Sequence, residues 1–253
     1  MHVLVTGSKG FIGKNLIDRL THIKGISIET FDKDNTIDEL SQKISKVDFI
    51  FHLAGVNRPD NIEEFYKGNR DLTKQIIDLI DANHKKIPIL LSSSIQVERD
   101  NDYGKSKLQA EELLKEYAST SHVPVYIYRL PNVFGKWCKP NYNSVIATWC
   151  YNIAHDLPIQ VNDPSVALNL VYIDNVIEHF ISHLKIQRND NDNVLFECHI
   201  KPIYKKTLGE IKELLFSFKN MEYQGIINQT GFEKALYDTY ISYVNIKEED
   251  ARL

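Results

Sequence analysis

Sulfur and turn residues are sparse in this chain: its 253 residues include three cysteines, two methionines, eight prolines and eleven glycines. Cys138, Cys150 and Cys198 are odd in number and form no CxxC pair. That excludes a disulfide framework and a zinc knuckle, leaving reduced thiols that pack. The nine histidines are scattered, so no metal site is expected. Long apolar runs are missing too, and none approaches the roughly 18 residues that cross a bilayer. Charge of one sign is also missing. Thirty Lys and Arg against 34 Asp and Glu leave a net charge of −4, without the basic stripe that neutralises phosphates, so nucleic acid is not an expected partner. The chain runs straight into Val3-Leu4-Val5 without a charged and apolar leader, and the expected location is the cytoplasm.

What is present is ordinary globular composition, 43% hydrophobic and 25% charged, in a chain long enough to bury a full core. The first two-thirds alternates short β-branched or apolar runs with amphipathic stretches. Strands are predicted at Val3–Thr6, Ile26–Phe31, Phe49–Leu53, Ile87–Leu91 and Val123–Tyr128. Helices are predicted at Phe11–Leu20, Ile37–Ile44, Asp71–Ala82 and Tyr103–Tyr117. This rhythm defines βαβ units, hence an α/β fold built as a Rossmann-like doubly wound parallel sheet. Beyond about Pro131 the rhythm changes. A polar, aromatic stretch leads into a predicted helix Ser144–Ala154, strands Ile159–Val161 and Ala167–Tyr172, and helices Asp174–Leu184, Leu208–Lys219 and Phe232–Tyr243. Residues 1–135 are therefore expected to form a dinucleotide-binding core. Residues 136–253 form a smaller substrate-binding lobe, interleaved with that core as one structural unit on the sheet's carboxyl edge. The Asn189–Asn193 cluster reads as a surface loop, and Lys247–Asp250 as a solvated tail.

Between the first strand and first helix lies Thr6-Gly7-Ser8-Lys9-Gly10-Phe11-Ile12-Gly13, a GxxGxxG loop. Gly7 permits the tight turn, Gly10 lets the backbone approach a pyrophosphate, and Gly13 lets helix pack on strand. The helix amino terminus, at Phe11 and Ile12, then offers N–H groups to the anion. Glycine turns also occur without ligands, but a strand before and a helix after make a nicotinamide dinucleotide the expected occupant. Asp32 closes the second strand. A carboxylate there would hydrogen-bond the adenosine ribose and favour NAD, whereas Lys9 and Lys33 would pair with the 2′-phosphate of NADP. These residues leave both open. Tyr103 and Lys107 stand at i and i+4 on one helical face, where an ammonium near a phenol would lower its pKa and ready it for proton transfer. The Ser92-Ser93-Ser94 triplet ends the preceding strand and can supply a hydroxyl to a substrate carbonyl. Which serine does so stays open within the triplet.

TGSKGFIG (Thr6–Gly13), HLAG (His52–Gly55), the serine triplet, YGKSK (Tyr103–Lys107) and RLPNVFG (Arg129–Gly135) resemble the extended short-chain dehydrogenase/reductases, in their order. LAGVNRP (Leu53–Pro59), LLSSSIQ (Leu90–Gln96), FGKWCKPNYNSVIATWCY (Phe134–Tyr151) and IQVND (Ile159–Asp163) resemble one subgroup, the reductase half of the CapF-type capsular polysaccharide synthesis enzymes. The likeness runs nearly to the carboxyl terminus, through KTLGEI (Lys206–Ile211) and LYDTYISY (Leu236–Tyr243). It implies an NADPH-dependent reduction of the C4 ketone of a UDP-linked 4-keto-6-deoxy-N-acetylhexosamine, on the route to UDP-N-acetyl-L-fucosamine. It also implies that Leu53, Ala54 and Gly55 border the cofactor and that Lys107 holds the nicotinamide ribose. Tyr103 would protonate O4, and Ser94 would bind the carbonyl. Asn132, in a Pro131-Asn132-Val133 turn, would face the substrate, and Asn141, Asn143 and Ser144 would line the nucleotide-sugar pocket. Members of the subgroup carry a carboxyl-terminal cupin epimerase. This sequence stops at Leu253, where that domain would begin, and has no HxH, so a separate cupin epimerase is an expected partner. A homodimer is expected by the same analogy.

Smaller features have plainer readings. His52 is expected to pack near the cofactor, Trp137 and Trp149 flank the proposed pocket, and Asp174 reads as a helix N-cap. An NAD-dependent 4-epimerase fits the motifs as well. A 4,6-dehydratase does not, because Ile95-Gln96-Val97 stand where its carboxylate pair is needed. A non-catalytic NADP sensor would have no use for serine, tyrosine and lysine together.

Overall fold

A computed structural model describes residues 1–185, 194–220 and 230–245. They form two compact units, Met1–Leu130 with Ile177–His199, and Pro131–Val176 with Ile200 onward. The Asn189–Asn193 cluster and the Lys247–Asp250 run lie outside the described residues.

In the first unit the chain passes through β1 (His2–Thr6), α1 (Phe11–Thr21), β2 (Ser27–Phe31), α2 (Ile37–Ile44) and β3 (Phe49–His52). A short helix α3 (Glu63–Phe65) and a π-helical turn at Tyr66–Asp71 lead into α4 (Leu72–Ala82), β4 (Ile89–Ser94), α5 (Asp102–Ser121) and β5 (Val125–Leu130). After β6 (Asn132–Phe134), α6 (Val145–Ala154) and β7 (Ala167–Tyr172) of the second unit, and α7 (Ile173–Ser182), which belongs to the first unit from Ile177 on, the chain adds β8 (Leu195–Cys198) to the first sheet. The sheet order is β2-β1-β3-β4-β5-β8, parallel throughout. The chain reverses direction across the sheet at β1 and β3, so the switch point where ligands of such sheets bind lies at their carboxyl ends. The glycine loop follows β1 and Leu53-Ala54-Gly55 follows β3.

Strands β3 and β4 are buried along their whole length, as parallel strands covered on both faces must be. Leu4, Ile50, Ile89, Leu91 and Ile127 meet Leu40 and Ile44 of α2, Ile76 and Ile80 of α4, and Leu114 and Tyr117 of α5. Each such side chain contributes about 1.5–3 kcal/mol by leaving water. Helix α2 has the predicted limits because Thr36 and Glu39 close a capping box at its start. β4 starts two residues later than predicted. The Tyr117 hydroxyl takes both the N–H and the carbonyl of Ile87, and Pro88 has no N–H to pair.

In the second unit β6 and β7 are parallel, and β9 (Tyr204–Thr207) runs antiparallel to β7. Helices α6, α8 (Leu208–Lys219) and α9 (Phe232–Val244) bury an aromatic core of Phe134, Trp149, Phe218, Phe232, Tyr240 and Tyr243. The predicted strand at Ile159–Val161 is not formed. Pro158 precedes it, its carbonyl is taken by the Asn152 amide, and an Asp163–Ser165 turn follows, although Ile159 and Val161 still pack on this core. Asp174 lies inside the first turn of α7 and not at its N-cap. Among the described residues no helix is long and apolar enough to cross a membrane.

Candidate active site

The glycine loop is built by close approach. Gly7, at φ +70°, would place a Cβ 2.7 Å from the Ala54 nitrogen, and a Cβ on Gly13 would sit 2.2 Å from the Gly7 carbonyl oxygen. These two glycines let strand, loop and helix touch. A Cβ on Gly10 would meet only the Gly7 carbonyl oxygen, at 3.2 Å. Gly10 is also the N-cap of α1, where no side chain caps the helix. The loop therefore leaves space beside the amino end of a helix whose first N–H groups, at Phe11, Ile12 and Gly13, carry no side-chain cap. A dinucleotide pyrophosphate fits that chemistry.

At the end of β2, Asp32 turns toward this loop. Its carboxylate accepts the Ser8 hydroxyl and, at 3.1 Å, the Lys9 amide, while its own N–H donates to Asn35 Oδ1 at 2.9 Å. The Lys9 ammonium is paired with Asp34. Lys33 is exposed.

Ser94 ends β4, and its hydroxyl accepts the Gln96 amide at 3.1 Å, starting the 3-10 turn Ile95–Glu98. Helix α5 begins at the Asn101 cap, whose Oδ1 accepts the Gly104 N–H at 2.8 Å. A Cβ at Gly104 would stand 2.2 Å from the Gln96 carbonyl oxygen. Only glycine lets this helix start press against the turn, which brings the Tyr103 phenol to the Ser94 hydroxyl. The Phe65 ring lies 5.8 Å from that of Tyr103. Burial raises the Tyr103 phenol above its ordinary value, and the Ser94 hydroxyl opposes the rise. This corrects the expectation that Lys107 lowers it. The Lys107 ammonium is buried and donates to the Ser92 carbonyl at 2.7 Å. Burial pushes it down to about 8, against the charge of Glu111. A phenol held above its usual value stays protonated at neutral pH, the state of a proton donor. His52 packs between the Thr6 and Thr73 hydroxyls at 2.8 and 2.9 Å. Burial and the Lys107 charge push it down to about 3, so it is neutral.

Three further residues of this region carry no motif in the sequence that assigns them a role. Asn69 is buried in the π-helical turn. Its Oδ1 accepts the Val56 N–H at 2.9 Å, and its amide donates to the Val56 carbonyl and the Ser106 hydroxyl at 3.0 and 2.9 Å. It ties the Gly55 loop to the helix that carries Tyr103 and Lys107. Nothing in the local pattern announces a π-turn, although a polar residue at an otherwise buried helical position was a usable sign. Glu111 and Arg129 are the other two. Glu111 lies one turn beyond Lys107, has no exposed surface, and accepts the Arg129 guanidinium and the Ser93 hydroxyl.

In the second unit, Asn132 lies in β6, not in a turn, because residues 132–134 pair with Leu170–Tyr172. Its exposed side chain donates to the Asn169 carbonyl at 3.3 Å. Asn141 adopts φ +55° and its N–H donates to Thr148 Oγ1 at 2.9 Å. Asn143 is exposed, and Ser144 caps α6, its hydroxyl accepting the Ala147 N–H at 3.3 Å. Trp149 is core, while Trp137 is 42% exposed with the Lys136 ammonium 4.2 Å from its ring centre. Among the described residues no group of three His, Cys, Asp or Glu side chains is placed to hold a metal.

A doubly wound sheet with a glycine loop at its switch point and a Ser-Tyr-Lys set at the next strand end defines a dinucleotide-binding α/β protein. Residues 3–195 match the model of the NAD dependent epimerase/dehydratase family, and the chain belongs to it. It is 44% identical over 246 residues to the UDP-2-acetamido-2,6-beta-L-arabino-hexul-4-ose reductase of Pseudomonas aeruginosa, matching 96% of this chain and 65% of that protein. The crystal structure of the capsular polysaccharide assembling protein CapF from Staphylococcus aureus is 46% identical, with a TM-score of 0.82 over 96% of this chain and 66% of that one. The chain thus spans just under two thirds of the length of both relatives. The UDP-glucuronic acid 4-epimerase of Bacillus cereus, solved with UDP-glucuronic acid and NAD, shares the fold at 17% identity and a TM-score of 0.80, over 96% of this chain and 99% of its own.

Proposed function

We propose that this chain reduces the C4 ketone of a UDP-linked 4-keto-6-deoxy-N-acetylhexosamine, as a nucleotide-sugar oxidoreductase supplying precursors for capsular or surface polysaccharide. The observation that carries this reading is the half-buried Tyr103 phenol against the Ser94 hydroxyl, one helical turn from Lys107, whose ammonium donates to the Ser92 carbonyl. The keto-sugar reductase that the chain resembles over 96% of its length supports the substrate class. When bound, a reduced nicotinamide supplies the hydride. Gly7, Gly10 and Gly13 with the N–H groups of Phe11 and Ile12 hold the pyrophosphate, and Leu53, Ala54 and Gly55 border the dinucleotide. Ser94 donates to the ketone oxygen, Tyr103 gives that oxygen its proton as it becomes an alkoxide, and Lys107 offers its ammonium to the ribose and the phenolate. Asn132, Asn141, Asn143 and Ser144 contact the nucleotide sugar.

The resemblance implies NADPH, but the surroundings of Asp32 support NADH. A carboxylate held by Ser8 and the Lys9 amide accepts a ribose hydroxyl and repels a 2′-phosphate, and of the two lysines that would attract the phosphate Lys9 is already paired with Asp34, which leaves the exposed Lys33. A cytoplasmic homodimer completes the reading.

The test follows nicotinamide absorbance with purified protein, NADH or NADPH, and the UDP-4-keto sugar made by a separate dehydratase. Substrate-dependent loss of the signal is expected, and Tyr103→Phe should lower it by about 10²–10⁴-fold while dinucleotide binding persists. Interconversion of C4 epimers without net loss of reduced nicotinamide would replace this reading with an epimerase. Turnover that survives Tyr103→Phe would remove the proposed proton donor.

A further inference from the structure

Glu111 is a fully buried carboxylate that the proposed chemistry does not use. Its Oε1 accepts the Ser93 hydroxyl at 2.5 Å, and the Arg129 guanidinium grips both oxygens, with its Nη2 2.7 Å from Oε2. Three successive residues at the end of β4 thus hold three side chains of α5. The Ser92 carbonyl takes Lys107, Ser93 takes Glu111, and the Ser94 hydroxyl meets Tyr103. A well-packed apolar pair would meet a purely structural demand at Glu111 and Arg129 as well or better, since burying charges is costly even when they are paired. The retained charge has a neighbour that needs it, because Lys107 lies one turn back on the same helical face and Glu111 is the group that opposes the effect of its burial.

We propose that Glu111 is a positioning residue for Lys107: gripped by Arg129 and Ser93, it fixes the ammonium on the Ser92 carbonyl and keeps it charged for the proton transfer at Tyr103. The other groups around this pair do not replace it. His52, at the end of β3, is neutral between two threonines. Arg129, from β5, is turned onto Glu111, and the acidic Glu98 and Glu197 act on its own charge. The catalytic consequence rests on the proposed reductase reading, but the effect on Lys107 does not.

The experiment titrates the Lys107 side chain by NMR of lysine-labelled protein, its signal assigned by its absence in Lys107→Met. It compares wild type, Glu111→Gln and the double variant Glu111→Gln/Arg129→Met. The double variant removes both charges of the pair and keeps the test available where the single one, taking from Arg129 its buried partner, fails to fold. In both, the Lys107 midpoint is expected to fall by about one pH unit or more, and the alkaline limb of the turnover profile should move with it. A purely structural role predicts that the double variant, once folded, titrates and turns over like wild type, and that result overturns the proposal. A wild type that titrates as described but reduces no keto sugar would instead defeat the reductase reading and leave the Glu111 effect standing.

Discussion

Alanine at Gly13 and alanine at Gly10 separate what packs the glycine loop from what serves a ligand. At Gly13 the new methyl carbon would lie 2.2 Å from the Gly7 carbonyl oxygen and 2.8 Å from the Ser8 Cα, both backbone atoms. The gain of about 1 kcal/mol that alanine brings to a helix does not offset the displacement of that backbone, and a net loss of about 3 kcal/mol is expected, at the upper end for overpacking. At Gly10 the nearest atom is 3.2 Å away and the backbone, at φ −75° and ψ 172°, is open to any residue. The stability cost there is about 1 kcal/mol, that of a poorer N-cap. The methyl nevertheless occupies the space where a pyrophosphate would meet the helix end, and loss of at least about 1.4 kcal/mol of binding, or tenfold in Kd, is expected. Urea unfolding of both variants and fluorescence titration with NADH measure the two quantities. Gly10→Ala that unfolds as readily as Gly13→Ala, or that folds and binds NADH as tightly as wild type, would refute the assignment of that space to a ligand.

Wild type should prefer NADH over NADPH in kcat/KM by about tenfold or more, and Asp32→Ala should bring the two together by releasing a carboxylate charge at the ribose; a wild-type preference for NADPH would show that Asp32 does not face the ribose as proposed. His52 contributes a pH dependence whose sign follows from its depressed pKa. The unfolded chain takes up its proton near 6.5, while the folded one does so only at about 3. The stability from keeping it neutral is complete above pH 6.5 and is lost as pH falls toward 3, at about 1.4 kcal/mol per unit. Between pH 6.5 and 5, the stability lead of wild type over His52→Gln should therefore shrink by about 2 kcal/mol in urea unfolding. A difference that does not change with pH would mean that the imidazole reaches water.

Much of this protein could be read along the chain wherever the deciding interactions are local. Helices α2 and α8 have the predicted limits because each starts with a capping box, Thr36 with Glu39 and Thr207 with Glu210. The glycine loop, its flanking strand and helix, and the i, i+4 placement of Tyr103 and Lys107 are likewise matters of spacing. Long-range contacts decided the rest. β6, β8 and β9 are three or four residues long, too short for a period to register, and become strands because a neighbouring strand offers hydrogen bonds. The spacing put an ammonium beside the phenol, but the fold turned Lys107 onto the Ser92 carbonyl and left burial to raise Tyr103. It also brought Arg129 to Glu111 across 18 positions and Asn69 to Ser106 across 37. Residue type and spacing thus determined which groups were available for chemistry. Their partners, and hence their protonation, belonged to the tertiary structure, because desolvation and charge act through space between residues that the chain keeps far apart.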